Sequence, residues 1–507
     1  MLLLLALAAP PAEAAPIRCF TPDYLALRDD AGAAKMFRPT AVGFVDSAIY
    51  PIRIHYSDAA DLARATDSWL PLAENAWAVE VEQMGWPAPP ADDGAGGSDA
   101  YDYYFTEKGT SMGAYTFGFG PDVIPDDNWY SNATFIAVDR RIDDVEVDGF
   151  IAHEFVHALQ WTVDGREKTV FAWESTAEAI TDMVHDDTDY GYELYSFQML
   201  PFMSLVHDSY NPLIYPYGYT GYYYEYGGMM FTTYIEEKYG TKDGKLLVKL
   251  WDDLAQPGTK DEPDFLDAIA LVDPSVPTVA DVYTDFAVWR MFAASDDDGA
   301  HYEEGAAFPD YAIPYAEASI TLDELDGFTA TPVAAPYDLG TSYYRVDLGV
   351  GSDRTLHVDV AGEPGVEWGI AWAVWPTAGG AATTGSTWVA DGAPLAVDID
   401  LTGGDRLEIG VVNNGPAGFD PDDGAVRRAF TLTLTLAPLD EPADTDEPPV
   451  DDTDVPDTDV PVADPEPEPP ASDDDEKGGC GCASGGPLQV SWAALALAVV
   501  AGRRRRR

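Results

Sequence analysis

The sharpest chemical signal in the chain is His153-Glu154-Phe155-Val156-His157, set in an apolar run with Phe150, Ile151 and Ala152 before it and Ala158 and Leu159 after. Such a run has the spacing of a buried helix. Side chains four apart on a helix share a face, so both imidazoles can turn a nitrogen toward one zinc ion about 2.0–2.1 Å away. Glu154 would then stand beside the ion, placed to take a proton from water whose pKa zinc lowers to about 7. Catalytic zinc keeps three protein ligands and one open position, so the pattern requires a third ligand from a nearby helix.

Trp173-Glu174-Ser175-Thr176-Ala177-Glu178 supplies two carboxylates on one helical face. Glu174 follows His157 by 17 residues and Glu178 by 21, and Asp182 continues the same face. A ligand imidazole ordinarily donates its other N–H to an acceptor that fixes the ring and raises its basicity. Whichever carboxylate does not meet the metal can therefore serve as that acceptor. An oxyanion developing on an attacked carbonyl also needs a donor, and a tyrosine or histidine from a later helix, His185 among them, would do. Ser295-Asp296-Asp297-Asp298-Gly299 offers acidic oxygens that Ca2+ could use, but it lacks the spacing of an EF-hand loop and is read as a solvated turn.

These residues need a scaffold. Ile52–Tyr56, Tyr101–Phe105 and Thr134–Asp139 have strand composition, and Leu62–Met84 has helical apolar spacing. Thr134–Asp139, just upstream of the histidine helix, is weighed both as an edge strand that could pair with an extended peptide and as an ordinary sheet strand. From Gly149 to about Leu254 the pattern turns helical, and it continues through Asp264–Leu271 and Val279–Ala294. From about Val333 to Pro438, short runs such as YYRVDLGV, RLEIGVVN and FTLTLTLA recur between Gly, Asn and Asp turns, which predicts a β-sandwich.

At 507 residues the chain should hold two or three domains, and 46% hydrophobic residues let most of it bury a core. Its 89 acidic against 28 basic residues give a net charge of −61, which excludes the basic footprint that nucleic acid requires. Seventeen of the acids lie in the Pro-, Asp- and Thr-rich stretch from Asp440 to Glu476, which has no apolar positions for a core and reads as a disordered, self-repelling linker. Three cysteines cannot make a disulfide framework, and Cys19 reads as a free or buried thiol. The apolar run Leu2–Ala9 followed by Ala12-Glu13-Ala14 has the form of a secretory signal cut after Ala14. At the other end come Gly-Gly-Cys-Gly-Cys (478–482), a short apolar segment and Arg503 to Arg507. The apolar part spans about 14 residues, or about 21 Å, against a hydrocarbon core of about 30 Å.

The HExxH segment followed by a glutamate-bearing helix resembles the gluzincin metallopeptidases. WESTAE resembles the W-x-E-G-x-A-E form of peptidase-MA-like proteins, which makes Glu174 the third ligand with Glu178 behind it; Ser175 stands where that form has glycine. Glu178-Ala-Ile-Thr-Asp182 resembles instead the E-A-I-S-D form of thermolysin-like enzymes, which makes Glu178 the ligand and Asp182 its partner on a histidine. Glu174 is the preferred register and Glu178 stays open. Tyr224-Glu225-Tyr226-Gly227 resembles the Y-E-K-G motif of zinc aminopeptidases, which implies Tyr224 as the oxyanion donor, with Tyr226 in the place of lysine. The last 30 residues or so resemble the MYXO-CTERM sorting tails of myxobacterial surface proteins, and residues 45–330 look like surface metalloproteases of the same bacteria.

The residue patterns and the resemblances together imply an α+β chain with five parts. These are a signal peptide (1–14), a zincin-like metallopeptidase domain (15–330), a β-sandwich (333–438), a disordered linker (440–477) and a sorting or anchor tail (478–507). The expected activity is hydrolysis of peptide or protein substrates by Glu154-assisted attack of zinc-bound water. His153, His157 and Glu174 or Glu178 would hold the metal. The expected place is the cell surface, with membrane contact only through the tail and a processing enzyme acting at the Gly-Cys motif. The competing reading is an adhesin or glycan- or protein-binding module whose metal site is structural or degenerate, and a hydrolase acting on another bond shares the same zinc chemistry.

Overall fold

The computed structural model describes residues 18–19 and 38–438, apart from 109–111, 119–132, 166, 186–190, 210, 215, 218–220, 256–263, 273–277, 323–326, 349–352, 378, 403–404 and 422–423. The signal, linker and tail expected at 1–14, 440–477 and 478–507 lie outside these residues. The described residues belong to one compact unit, Met1–Glu441. Among them no helix is long and apolar enough to cross a membrane.

The chain is a mixed α+β structure. Its first sheet holds β1 (Arg18–Cys19), β2 (Gly43–Asp46), β3 (Ile52–Tyr56), β4 (Tyr101–Thr106), β5 (Met112–Gly118) and β6 (Thr134–Asp139) in the order β1-β5-β6-β4-β3-β2. β3, β4 and β6 run parallel, while β5 is antiparallel to β6 and β2 to β3. Every residue of β6 is buried and the strand is paired on both sides, so Thr134–Asp139 is an interior strand. The sheet continues outward through β5, and the edge on that side is the two-residue β1, laid parallel along β5.

One face of this sheet, through Ile52, Ile54, Tyr103, Phe105, Ile136 and Val138, packs on helices. The helical stretch α1 runs from Leu62 to Met84 with two wide π-type segments and sets Trp69 flat on Phe105, ring centroids 3.8 Å apart. Helix α2 (Val147–Val163) follows β6 directly, and α3 (Val170–Val184) packs beside it. Apolar residues occupy nearly the whole circumference of α2, and the helix is accordingly buried almost throughout. Five further helices close the layer around α3: α4 (Gly191–Met199), the single turn α5 (Tyr224–Gly227), α6 (Met229–Tyr239), α7 (Lys245–Leu254) and α8 (Phe265–Val272). The last, α9 (Val279–Trp289), opens with Thr278 and Asp281 capping each other's backbone amides, which satisfies two donors the first turn would otherwise leave bare.

Nine strands follow: β7 (Ala316–Leu322), β8 (Phe328–Ala330), β9 (Gly340–Leu348), β10 (Arg354–Gly362), β11 (Trp368–Trp375), β12 (Thr383–Val389), β13 (Leu395–Leu401), β14 (Arg406–Asn413) and β15 (Phe430–Pro438). They form a four-stranded sheet, β13-β10-β15-β8, and a five-stranded sheet, β12-β11-β14-β9-β7, facing each other across Val346, Val358, Ile370, Ile409, Leu432 and Leu434. The sandwich therefore begins at Ala316, earlier than the expected 333. β7 is half exposed and carries little of the apolar alternation that marks a strand. The outer face of the five-stranded sheet joins the helical core through Tyr343, Ala371, Ala373 and Val412, and Tyr343 donates a hydrogen bond to the Ala287 carbonyl at 2.9 Å. The outer face of that sheet thus shares the helical core, while the sandwich interior forms a second one.

Candidate metal centre

Helix α2 brings His153 and His157 to one face, with their Nε2 atoms 3.0 Å apart and their rings perpendicular. From α3, Glu174 places Oε2 3.2 Å from His153 Nε2 and Oε1 3.4 Å from His157 Nε2. Both carboxylate oxygens are buried and accept no aligned hydrogen bond. They point at the same space as the imidazole nitrogens. Donor atoms about 2.0–2.1 Å from an ion at tetrahedral angles stand about 3.3 Å from one another, and these separations match that edge. A fourth donor arrives from β1: the ligand atoms of Cys19, His153, His157 and Glu174 all lie within 4.8 Å of one another, and all four residues are buried. The set could hold a metal ion.

The two carboxylates of α3 have different surroundings. Glu178 Oε1 faces Nδ1 of His153, the nitrogen away from the cluster, at 3.2 Å. The corresponding Nδ1 of His157 meets Gln160 Oε1 at 2.7 Å, and Gln160 in turn donates to the Trp173 carbonyl. Each ring is thereby fixed with Nε2 turned inward. Asp182 lies one turn beyond Glu178, and both outer nitrogens are already engaged. Burial alone would raise the Glu174 carboxyl, but the two imidazoles beside it hold it down at about 2. For His153, burial works against the charged ring, and contacts with Cys19, Glu174 and Glu178 outweigh it, so its pKa stands above the ordinary value.

Glu154 is fully buried next to this cluster, and the hydroxyl of Thr116 on β5 lies 2.8 Å from its Oε2 and 2.6 Å from its backbone carbonyl oxygen. That hydroxyl ties β5 to the histidine-bearing helix α2. Lys108, just after β4, holds its ammonium 3.1 Å from the centre of the Tyr115 ring, and burial lowers its pKa to about 7 against the pull of Glu154.

Tyr224 is not at the centre. Its hydroxyl donates to the carbonyls of Met203 and Ser204 at 3.2 and 3.1 Å, and its ring packs on Phe197. Residues two apart on a helical turn point to nearly opposite sides, and it is Tyr226 whose ring lies along His153, centroids 5.9 Å apart, with its hydroxyl donating to the Cys19 carbonyl at 3.4 Å. Tyr223, at φ 62°, turns the chain into this orientation. His185, at the end of α3, lies outside the cluster and burial lowers its pKa. At the acidic turn, Asp296 accepts from Arg406 at 2.6 Å, and Asp298 accepts from the amide of Ala300 and meets His301 Nδ1 at 2.8 Å. Those oxygens are engaged within the protein rather than grouped for Ca2+.

Cys19, Thr116, Gln160 and Tyr226 are the participants that sequence reasoning missed. Gln160 had a signal, since it sits three residues after His157 on the same helix. Cys19 and Thr116 come from strands whose proximity only the sheet order reveals, and Tyr226 from a single-turn helix whose direction the sequence does not fix.

No protein-family model and no curated protein matches the chain. Among solved structures, the pre-peptidase C-terminal domain of a collagenase from Bacillus anthracis is similar at 17% identity, covering 24% of this chain and 97% of that one, with a TM-score of 0.15. A periplasmic g-type lysozyme inhibitor of Aeromonas hydrophila covers 24% of this chain and 100% of its own at 11% identity and TM-score 0.17. A surface-associated copper-binding protein of Methylomicrobium album BG8 covers 24% and 98% at 11% identity and TM-score 0.17. Likenesses this distant carry no argument about what this chain does.

Proposed function

We propose that the chain is a zinc metallopeptidase of gluzincin type on a zincin-like scaffold, secreted and displayed at the cell surface through its C-terminal tail. The observation that carries this reading is the convergence of His153 Nε2, His157 Nε2 and Glu174 at tetrahedral-edge separations, with Glu154 beside them. Two imidazoles and a carboxylate suit zinc. The ion, when bound, would supply the Lewis acidity that activates water and polarises a peptide carbonyl.

The remaining roles belong to the chain's own residues. Glu154 takes the proton of the attacking water and returns it to the leaving amine. The Thr116 hydroxyl positions that carboxylate. Glu178 and Gln160 hold the two imidazoles in register. The side of β5 along which β1 lies is where an extended peptide or protein substrate would add, bringing its carbonyl toward α2. Tyr226, by its place along His153, replaces Tyr224 as the candidate donor to the oxyanion.

A second reading is favoured by Cys19. Four protein ligands without an open position are the form of a structural zinc site, which would suit a surface adhesin or binding module. The deciding experiment compares the chain with Glu154→Gln on a peptide library, with metal content measured in both. The expected result is one zinc per chain in each. Cleavage should fall by about 10²–10⁴-fold in the variant, the usual contribution of a general base, and be lost on chelation. Equal cleavage by the two proteins at equal zinc content would refute the peptidase mechanism.

A further inference from the structure

We propose that Cys19 is a displaceable fourth ligand: the N-terminal strand that carries it lies where a peptide substrate would lie and keeps the metal centre latent until that strand leaves. The inference rests on the metallopeptidase reading above. Three of the four converging donors, His153, His157 and Glu174, sit on helices α2 and α3 inside the main core. The fourth comes from a two-residue strand at the rim of the sheet. A structural site draws its ligands from parts of the fold that stay together, whereas here one ligand comes from outside that core, on a short strand at the sheet rim.

The position of that element matters as much as the thiol. β1 pairs with β5 in the register Arg18 to Met112 and Cys19 to Ala114, on the edge of β5 that β6 does not use. An extended substrate would form its ladder with the same edge. Because Cys19 has its ligand atom within 4.8 Å of the others, the strand occupies both the substrate's hydrogen-bonding groups and the fourth coordination position. The buried Glu174 oxygens, which accept no aligned hydrogen bond, are an independent sign that this space is built for a cation. Cys19 is 2% exposed under Tyr223 and Tyr226, and the Tyr226 hydroxyl holds its carbonyl. The same tyrosine thus contacts the blocking strand and the ligand His153. With β1 gone, the thiol would no longer fill the fourth position and the side of β5 it covers would open for a peptide.

The test loads the full chain and its Cys19→Ser and Cys19→Ala variants with cobalt(II), and reads metal stoichiometry, the near-ultraviolet thiolate-to-cobalt charge-transfer band and cleavage of a peptide library. Wild type should bind one cobalt and show the band. Both variants should bind one cobalt without it. If the unblocked form is about 1–10% of the wild-type population, removing the thiol raises the rate about 10–100-fold. Capping the wild-type thiol with an organomercurial should raise the rate similarly and leave Cys19→Ser unaffected, which keeps the question answerable if a variant folds poorly. A cobalt-loaded wild type without the band, or variants no faster than wild type, overturns the proposal. Failure of the underlying reading looks different: no cobalt binds to any form, or the gain persists in Cys19→Ser combined with Glu154→Gln.

Discussion

Replacing Glu178 by alanine separates the two carboxylates of α3. Glu178 contacts His153 through Nδ1 at 3.2 Å, on the side away from the converging donors, and its side chain is only 13% exposed, so solvent screens the contact weakly. Loss of an acceptor behind a ligand imidazole typically costs 10–100-fold in metal affinity, which is about 1.4–2.7 kcal/mol. Competition titration against a chromophoric chelator should therefore show zinc binding weakened within that range in Glu178→Ala. Glu178→Gln, which keeps a carbonyl oxygen facing Nδ1, should sit between it and wild type. Glu174→Ala removes a donor that approaches both Nε2 atoms and should bind far more weakly than either. Affinities in the opposite order, with Glu178→Ala the weaker binder and Glu174→Ala near wild type, would refute the reasoning and restore the register in which Glu178 is the ligand.

Two further outcomes follow from groups outside the cluster. Burial pushes Glu167 and Glu225 up to about 8 and Glu408 up to about 7, against an ordinary value of 4.5, so the folded chain holds protons that the unfolded chain releases. Their stabilising contribution is complete below about pH 4.5 and is lost as pH rises toward 8. Urea midpoints should fall between pH 5 and pH 8, less steeply in Glu225→Gln, and a midpoint that rises over this range would contradict the account. Tyr224→Phe should cost about 0.5–1.5 kcal/mol of stability by removing the donor to the Met203 and Ser204 carbonyls. It should leave the cleavage rate per bound zinc unchanged; a large fall in that rate with zinc retained would return Tyr224 to the mechanism.

The part of the site that was legible in the sequence is the part that is local. His153 and His157 are one helical turn apart, and Glu174 and Glu178 repeat that spacing on the next helix, so periodicity alone puts each pair on a face. Choosing between the glutamates needed the packing of α3 against α2, which no single-helix pattern contains. The same distinction explains the rim of the sheet. Thr134–Asp139 has the stronger strand composition, and that strength reflects burial from both sides, whereas β5, nearer the rim, reads as MGAYTFG with glycine at two of seven positions. Tyr224 was misplaced for a related reason: a motif match fixes neither the turn at Tyr223 nor the direction of a single-turn helix. The sandwich was visible through its long alternating strands, β9, β10, β11, β14 and β15. The short and half-exposed β7, β8 and β12 carried too little alternation to be found.

The charge of the centre would give metal binding a structural consequence as well as a chemical one. Glu154 and Glu174 are fully buried in it, as is Glu80 nearby, whose carboxyl burial holds well above its usual range while the charge of His153 pulls the other way. Lys108 is the lysine whose charge acts on Glu154, and its ammonium rests on the Tyr115 ring instead of meeting a carboxylate. Buried carboxylates are costly unless paired or ligated, and here the converging Glu174 oxygens find no aligned donor. A divalent ion meets that need where two imidazoles meet it only partly. An ion held by these residues would tie α2 to α3, and through Cys19 also to β1, so part of its binding free energy would become stability of the helical layer. The strength with which β1 is held would then depend on the ion, and strand and centre would be coupled through one set of ligands.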